Sequence, residues 1–449
     1  MSHPSQARNT SIHTRSIREL TLIVRLSALM LLTSAAVTFF VSPVSMNDFG
    51  GRTSVNAATN SPGSVITTCQ DITAPGNYSL ASDLVESQAN TACLRIKDTH
   101  DVHLDCKFNA IKGGTGNGAP AISVTNVQGF SITRCTLQTE TGWVLTVNNS
   151  SDGDLVRNTI GNLTDQQQFF ILFDSVHNTR IVHNTINAVF QQVYSSGNLL
   201  RFNLATCPIW TNNSSCSGLL ISILGSNNTM DRNEIDGKGS ISTGQNGADD
   251  GVILSDESGD VVSNNIIRNT WDAGIETVGN ITDTEISSNS LTNVGIGGIG
   301  GWYWNSWRNV TVTDNTVRGV RFLFYFFRIF GLRPANWDGR GVQADTGVYF
   351  QENLFSRNQL IDGSDPASPS AYIPIYDYLN YNGGVSGLPG ERPAQISDFQ
   401  LNDNTFTRND FGHIELAPYF AEPFTVGKII DGGRNICSNP GANYPLVCH

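Results

Sequence analysis

Val156-Arg157-Asn158-Thr159-Ile160 returns as Val182-His183-Asn184-Thr185-Ile186, as Asp231-Arg232-Asn233-Glu234-Ile235 and as Ser263-Asn264-Asn265-Ile266-Ile267. The frame recurs at Ser287-Ser288-Asn289-Ser290-Leu291 and Thr313-Asp314-Asn315-Thr316-Val317, with weaker copies at Asn353 and Asn404. The closest copies lie 24 or 26 residues apart, within the period range of solenoid repeats. Wider gaps of 49 and 51 residues fit two coils, or one coil carrying a long loop.

A coil of about 25 residues needs short strands joined by tight corners, and Asn tolerates the left-handed backbone that a corner demands. Stacking would set equivalent residues about 4.7–4.9 Å apart, close enough for Asn side chains to hydrogen-bond along the stack. The flanking Val, Ile and Leu alternate with polar residues, as in a strand with one buried face. Segments between repeats, dense in Gly, Ser, Thr and Asn, do not support a helix. The sequence predicts an all-β, single-stranded right-handed parallel β-helix.

With 39% hydrophobic residues, 15% charged residues and 43 glycines in 449, the chain reads as ordered and long enough for a large core. Arg8, Arg15, Arg18 and Arg25 precede an uncharged run from Leu26 to Ser42, the pattern of a signal peptide or of an uncleaved signal anchor. The expected organisation is residues 1–45 as that signal, 46–63 as linker, 64–436 as β-helix with insertions near 321–346 and 362–395, and 437–449 as a disulfide-closed tail. The body is then secreted, cell-surface or periplasmic, touching membrane only through an anchor, and expected to be a monomer. Net charge is −12 with only five lysines in the chain, which disfavours nucleic acid. Cys106 with Cys135, Cys207 with Cys216, Cys69 with Cys93 and Cys437 with Cys448 form a plausible local disulfide set; free buried thiols are the alternative.

Three coils align by hand. Ala248-Asp249-Asp250-Gly251-Val252-Ile253 lies over Trp271-Asp272-Ala273-Gly274-Ile275-Glu276, which lies over Ile296-Gly297-Gly298-Ile299-Gly300. In this register Asp249 stacks on Asp272, with Glu276 on the same outward face; a shift of one would put Asp250 there instead. Carboxylates on neighbouring strands sit near the separations glycosidases use, and mutual repulsion raises one pKa, as a general acid requires. Trp302, Tyr303, Trp304 and Trp307 follow within six residues and offer faces to sugar rings; Arg318 lies nearby as a further substrate contact. Against this, Asp249-Asp250-Gly251 is also a common turn sequence, and the aromatics could form a satellite core. Asp249, Asp250 and Asp272 together also offer Ca2+ an all-oxygen ligand set, with no other cofactor called for.

Thr73-Ala74-Pro75-Gly76-Asn77-Tyr78 and Leu104-Asp105-Cys106-Lys107-Phe108-Asn109-Ala110-Ile111 resemble opening coils of secreted proteins of the pectin-lyase-like superfamily, and the repeats from about 120 to 436 resemble its generic parallel β-helix repeat. The resemblance implies the fold over nearly the whole body and is poor for activity. Asp249-Asp250 is similar to the paired-Asp motif of polygalacturonases, but their Gly-His-Gly is missing, and Arg95-Ile96-Lys97 precedes the pair instead of following it. The Asp-Pro-His-Asp motif of alginate epimerases is absent. The expectation is a polysaccharide glycosidase or lyase, with a non-catalytic polysaccharide-binding or structural solenoid as the rival.

Overall fold

The structure, a computed structural model, describes residues 63–115, 119–140, 142–161, 169–207, 215–239, 247–295, 297–302 and 306–319, and beyond these shorter stretches reaching Cys437. Every strand pairing among them is parallel; one sheet holds 13 strands in unbroken coil order from Leu84–Val85 to Ile436–Cys437. A second sheet of 25 strands covers the remaining faces, and strands such as Leu94–Asp105 and Ile122–Thr133 bend through a corner within it. The described residues contain no α-helix, hence no helix long and apolar enough to cross a membrane. This is the right-handed parallel β-helix, with the hand that parallel crossovers favour.

The core is a set of side-chain columns. Ile171, Phe190, Leu220, Val252, Ile275 and Ile299 are successive register partners, all fully buried. Ile160, Ile186, Ala205, Ile235, Ile267, Leu291 and Val317 form the column of the 13-stranded sheet. Burying each large aliphatic side chain contributes about 1.5–3 kcal/mol.

The asparagines form a continuous ladder. The N–H of Asn158 donates to Asn184 Oδ1 at 2.9 Å, and the same bond repeats from Asn184 to Asn203, Asn203 to Asn233, Asn233 to Asn265, Asn265 to Asn289, Asn289 to Asn315 and Asn315 to Asn358. Each Nδ2 also reaches back to a carbonyl of the coil on the other side, as Asn265 does to Met230 O at 2.8 Å. All these rungs are buried, so each side chain satisfies polar groups that would otherwise be stranded.

Two details differ from the sequence reading, and a third decides between alternatives it left open. The left-handed residue is the one before each Asn: Arg157, His183, Phe202, Arg232, Asn264, Ser288 and Asp314 have φ between 53° and 58°. Asn is selected by its side-chain bonds rather than by its backbone. The 49-residue gap is two coils, because Asn203 supplies a rung hidden behind Phe202. Asn353 belongs to another corner, where it accepts from Val310 N, and the ladder continues through Asn358 instead. Asn404 lies outside the described residues.

Disulfides join Cys69 to Cys93, Cys106 to Cys135 and Cys207 to Cys216, with Cα separations of 4.5, 4.8 and 6.2 Å. Cys448, the leader and nearly all of both the linker and the 362–395 insertion lie outside the described residues. Within the span expected as the 321–346 insertion, Phe322–Phe327 is a strand paired with Gly297–Trp302.

Candidate active site

Asp249-Asp250-Gly251 is not a turn. It lies inside the strand Gly247–Ser258, and Asp250 pairs in register with Ala273 of the next coil. The glycine has a packing reason: a Cβ on Gly251 would come within 2.5 Å of Ile267 Cγ2 and one on Gly274 within 2.2 Å of Leu291 Cδ2. The two sheets pinch together here, and only glycine fits. Val252 over Ile275 over Ile299 is the register read from the sequence.

That register gathers four carboxylates. Asp272 N donates to Asp249 O at 2.8 Å, which holds the two residues side by side on adjacent coils. Ile275 and Thr277 are fully buried, and Glu276 between them projects to the outer face, half-buried. Asp250, 3% exposed, accepts from Ala273 N through Oδ1 at 3.0 Å and is hydrogen-bonded to Glu276. Two carboxyl groups can bond to each other only by sharing a proton. Burial, then the negative charges of Glu276, Asp272 and Asp249, hold Asp250 well above the usual carboxylate range. Burial also pushes Glu276 up, to about 7, opposed by the hydrogen bond from Asp250. Asp249 and Asp272 are partly exposed beside the pair.

The aromatic cluster divides. Trp307 is fully buried, donates from Nε1 to Thr277 Oγ1 at 3.0 Å and stacks on Phe355 with centroids 5.8 Å apart. It is a core residue rather than the exposed ring expected, because it fills the interior beneath the strand that carries Glu276. Trp302 ends the strand Gly297–Trp302; its side chain, and Tyr303 and Trp304, lie outside what is described. Arg318 ends a strand of the other sheet, in register with Thr292, so it is not aligned with the carboxylates. The three aspartates do not form a calcium cage: among the described residues no group of three or more His, Cys, Asp or Glu is placed to hold a metal ion. Asp250 is directed instead to Ala273 and Glu276. A shallow groove of about 570 Å³, lined in part by Asp98, His100, Asn126, Val127, Asn149 and His177, contains none of the four carboxylates.

A second carboxyl pair escaped the sequence reading. Glu257 and Asp260, both 1% exposed, are hydrogen-bonded to each other. Glu257 Oε1 accepts from Gly225 N and Asp260 Oδ1 from Asn228 N. Ser222 also hydrogen-bonds to Glu257; Glu257 Oε2 and Asp260 Oδ2 meet no other donor among the described residues, so a shared proton satisfies both. Burial, the Asp260 charge and the bond to Asp260 push Glu257 up to about 10; burial pushes Asp260 up to about 7. The signal was present in the sequence. Ser195-Ser196-Gly197-Asn198, Gly225-Ser226-Asn227-Asn228 and Glu257-Ser258-Gly259-Asp260 align as one corner motif, and Asp260 takes the place of an Asn rung.

No family model matches the chain. No curated protein matches it either. Among solved structures it is similar to the periplasmic alginate epimerase AlgG, at 12% identity over 67% of this chain and 77% of that one, with a TM-score of 0.30. It is similar also to DFA-IIIase from Arthrobacter chlorophenolicus without its lid, at 12% identity over 83% and 89% of the two chains and a TM-score of 0.33. The A-module of the mannuronan C-5 epimerase AlgE4 from Azotobacter vinelandii gives 12% identity over 68% and 90%, with a TM-score of 0.29. The chain has the right-handed parallel β-helix fold. That is read from its own coils, and likenesses of this strength say nothing of its site.

Proposed function

We propose that this chain is an exported carbohydrate-active β-helix protein that cleaves a polysaccharide by acid/base chemistry at Glu276. The observation that supports this is the outer-face pair, in which a half-buried Glu276 shares a proton with buried Asp250 and is flanked by Asp249 and Asp272. A group poised near 7 is protonated often enough to serve as an acid at neutral pH. Glu276 gives its proton to the glycosidic oxygen as the C–O bond breaks, and Asp250 returns a proton through the shared bond. Asp249 or Asp272 acts on the sugar's other side, as nucleophile or as the base that activates water. Three disulfides among the described residues fit an oxidising compartment outside the cytoplasm.

The rival reading, a binding or structural solenoid, draws on two observations. Asp250 serves the backbone through Ala273 N, and Trp307 lies in the core.

The deciding experiment screens the secreted protein against neutral and acidic polysaccharides, read by new reducing ends and by ultraviolet absorbance of unsaturated products. Turnover on any member, abolished in Glu276→Gln with binding retained, supports the enzyme. Binding without turnover across the panel overturns it.

A further inference from the structure

The residue before each ladder Asn sits in the left-handed region, where Asn, Asp and Gly are at ease and bulky side chains are not. At three successive corners the chain obeys, with Asn264, Ser288 and Asp314; at the one after, Arg357 departs from the rule at φ 53° but is tied down by Asp314. Nearer the N-terminus the chain does not obey. Arg134, Arg157, His183, Phe202 and Arg232 hold five successive corners at φ between 53° and 58°, and Phe108 sits above them at φ 70°. Backbone strain repeated at one position on coil after coil marks a surface that needs those side chains.

The six residues form one exposed column. Arg134 Cζ lies 5.6 Å from the Phe108 ring centre and Arg232 Cζ 5.7 Å from that of Phe202. His183 and Phe202 stack with centroids 5.1 Å apart and planes 5° apart. Phe108 is 69% and Phe202 44% exposed, although open water is costly for both rings. Arg134 is paired with Asp105, and Arg232 approaches Asp231 at 3.5 Å. Arg157 is exposed and has no acidic partner among the described residues. Five coil steps give the column a length of roughly 24 Å.

We propose that this corner column is a binding track for an acidic polysaccharide laid along the solenoid axis, separate from the carboxylate cluster. The cations would meet sugar carboxylates while the aromatic faces stack on ring C–H groups. Charge density favours a uronate chain over nucleic acid. The track offers at most one cation per coil of about 4.8 Å, matched to one carboxylate per sugar ring, whereas duplex DNA carries one charge per about 1.7 Å. The net charge of −12 works against the denser polymer.

The test is calorimetric titration of the whole chain with a size-defined oligogalacturonate, a neutral malto-oligosaccharide of equal length and a single-stranded DNA oligonucleotide. The oligogalacturonate should bind at least tenfold tighter than either control. The double variant Arg157→Asn with Phe202→Asn should lose at least tenfold in that affinity while its unfolding temperature stays level or rises, because Asn suits the corner. Glu276→Gln should leave the affinity unchanged. Equal binding of the neutral sugar, tighter binding of DNA, no binding at all, or full affinity in the double variant overturns the track. Loss of affinity in Glu276→Gln also overturns it, assigning the affinity to the carboxylate site.

Discussion

Two carboxyl pairs draw on one strand, Gly247–Ser258, and share one chemistry, yet their surroundings differ. Asp250 and Glu276 meet on the outer face, with Glu276 half-buried and Asp249 and Asp272 beside them. Glu257 and Asp260 meet inside the coil, sealed among Asn228, Ser222 and the Gly225 backbone. Each pair can hold one proton between two oxygens. Only the outer one can pass it to anything, because catalysis needs a path to substrate as well as a shifted pKa. The inner pair is a rung of the corner ladder in which Asp has replaced Asn. The comparison shows that a strongly raised carboxyl pKa locates burial and pairing, and exposure then separates chemistry from architecture.

The sharpest way to break this contrast is to remove one acid from each pair. Glu276→Gln should lower turnover by about 10²- to 10⁴-fold, the usual contribution of acid/base catalysis, with sugar affinity preserved. Glu257→Gln should leave turnover per folded molecule nearly intact. Equal losses in the two variants would erase the distinction.

A pH series on the outer pair follows. Glu276 acts as an acid and its pKa is pushed up to about 7, so kcat should fall as pH rises through about 7. A profile flat from pH 6 to 9 would remove Glu276 from the chemistry.

The inner pair should show itself in stability. Both groups have folded pKa values raised above those of the unfolded chain, about 10 for Glu257 and about 7 for Asp260. The folded state therefore holds more protons than the unfolded one, and this contribution is full below about pH 4 and is lost as pH rises through 7 and towards 10. Each retained proton gives a slope of about 1.4 kcal/mol per pH unit. The double variant Glu257→Gln with Asp260→Asn should flatten the alkaline part of that decline, measured by denaturant unfolding at pH 7 and pH 9.

The smallest effect tests the ladder that frames both pairs. Asn265→Ala strands the N–H of Asn233 and should cost on the order of 1–3 kcal/mol. Asn264→Gly, at the exposed left-handed position next to it, should change stability by only a few tenths of a kcal/mol. Equal costs at the two positions would mean that the backbone, not the side-chain ladder, sets the preference.

The repeat was legible because a stacked coil returns each residue type to one place at nearly constant spacing. Asn158, Asn184, Asn233, Asn265, Asn289 and Asn315 were found as rungs on that basis, and so were the three bridged cysteine pairs. Asn203 was missed because two coils of unequal length straddle it. Asn353 was taken for a rung because local sequence does not say which corner an Asn occupies. The register that stacks Val252, Ile275 and Ile299, and with it the neighbourhood of Asp249, Asp250, Asp272 and Glu276, was also readable from apolar alternation.

Burial was decided by the tertiary structure alone. Trp307 reads in sequence as one of four surface aromatics, but the coil turns it inward onto Phe355 and Thr277. Asp250 reads in sequence either as an outer-face acid or as a turn residue, and the strand that runs on past the close approach of the two sheets at Gly251 decides for the acid and presses it against Glu276. Glu257 was not singled out in the sequence, and the corner draws it inside to bond with Asp260. Sequence period fixes which residues stack, because it counts the chain's return to the same column. Which side of the wall a column faces depends on strands and corners from several coils at once, and no single segment carries that information.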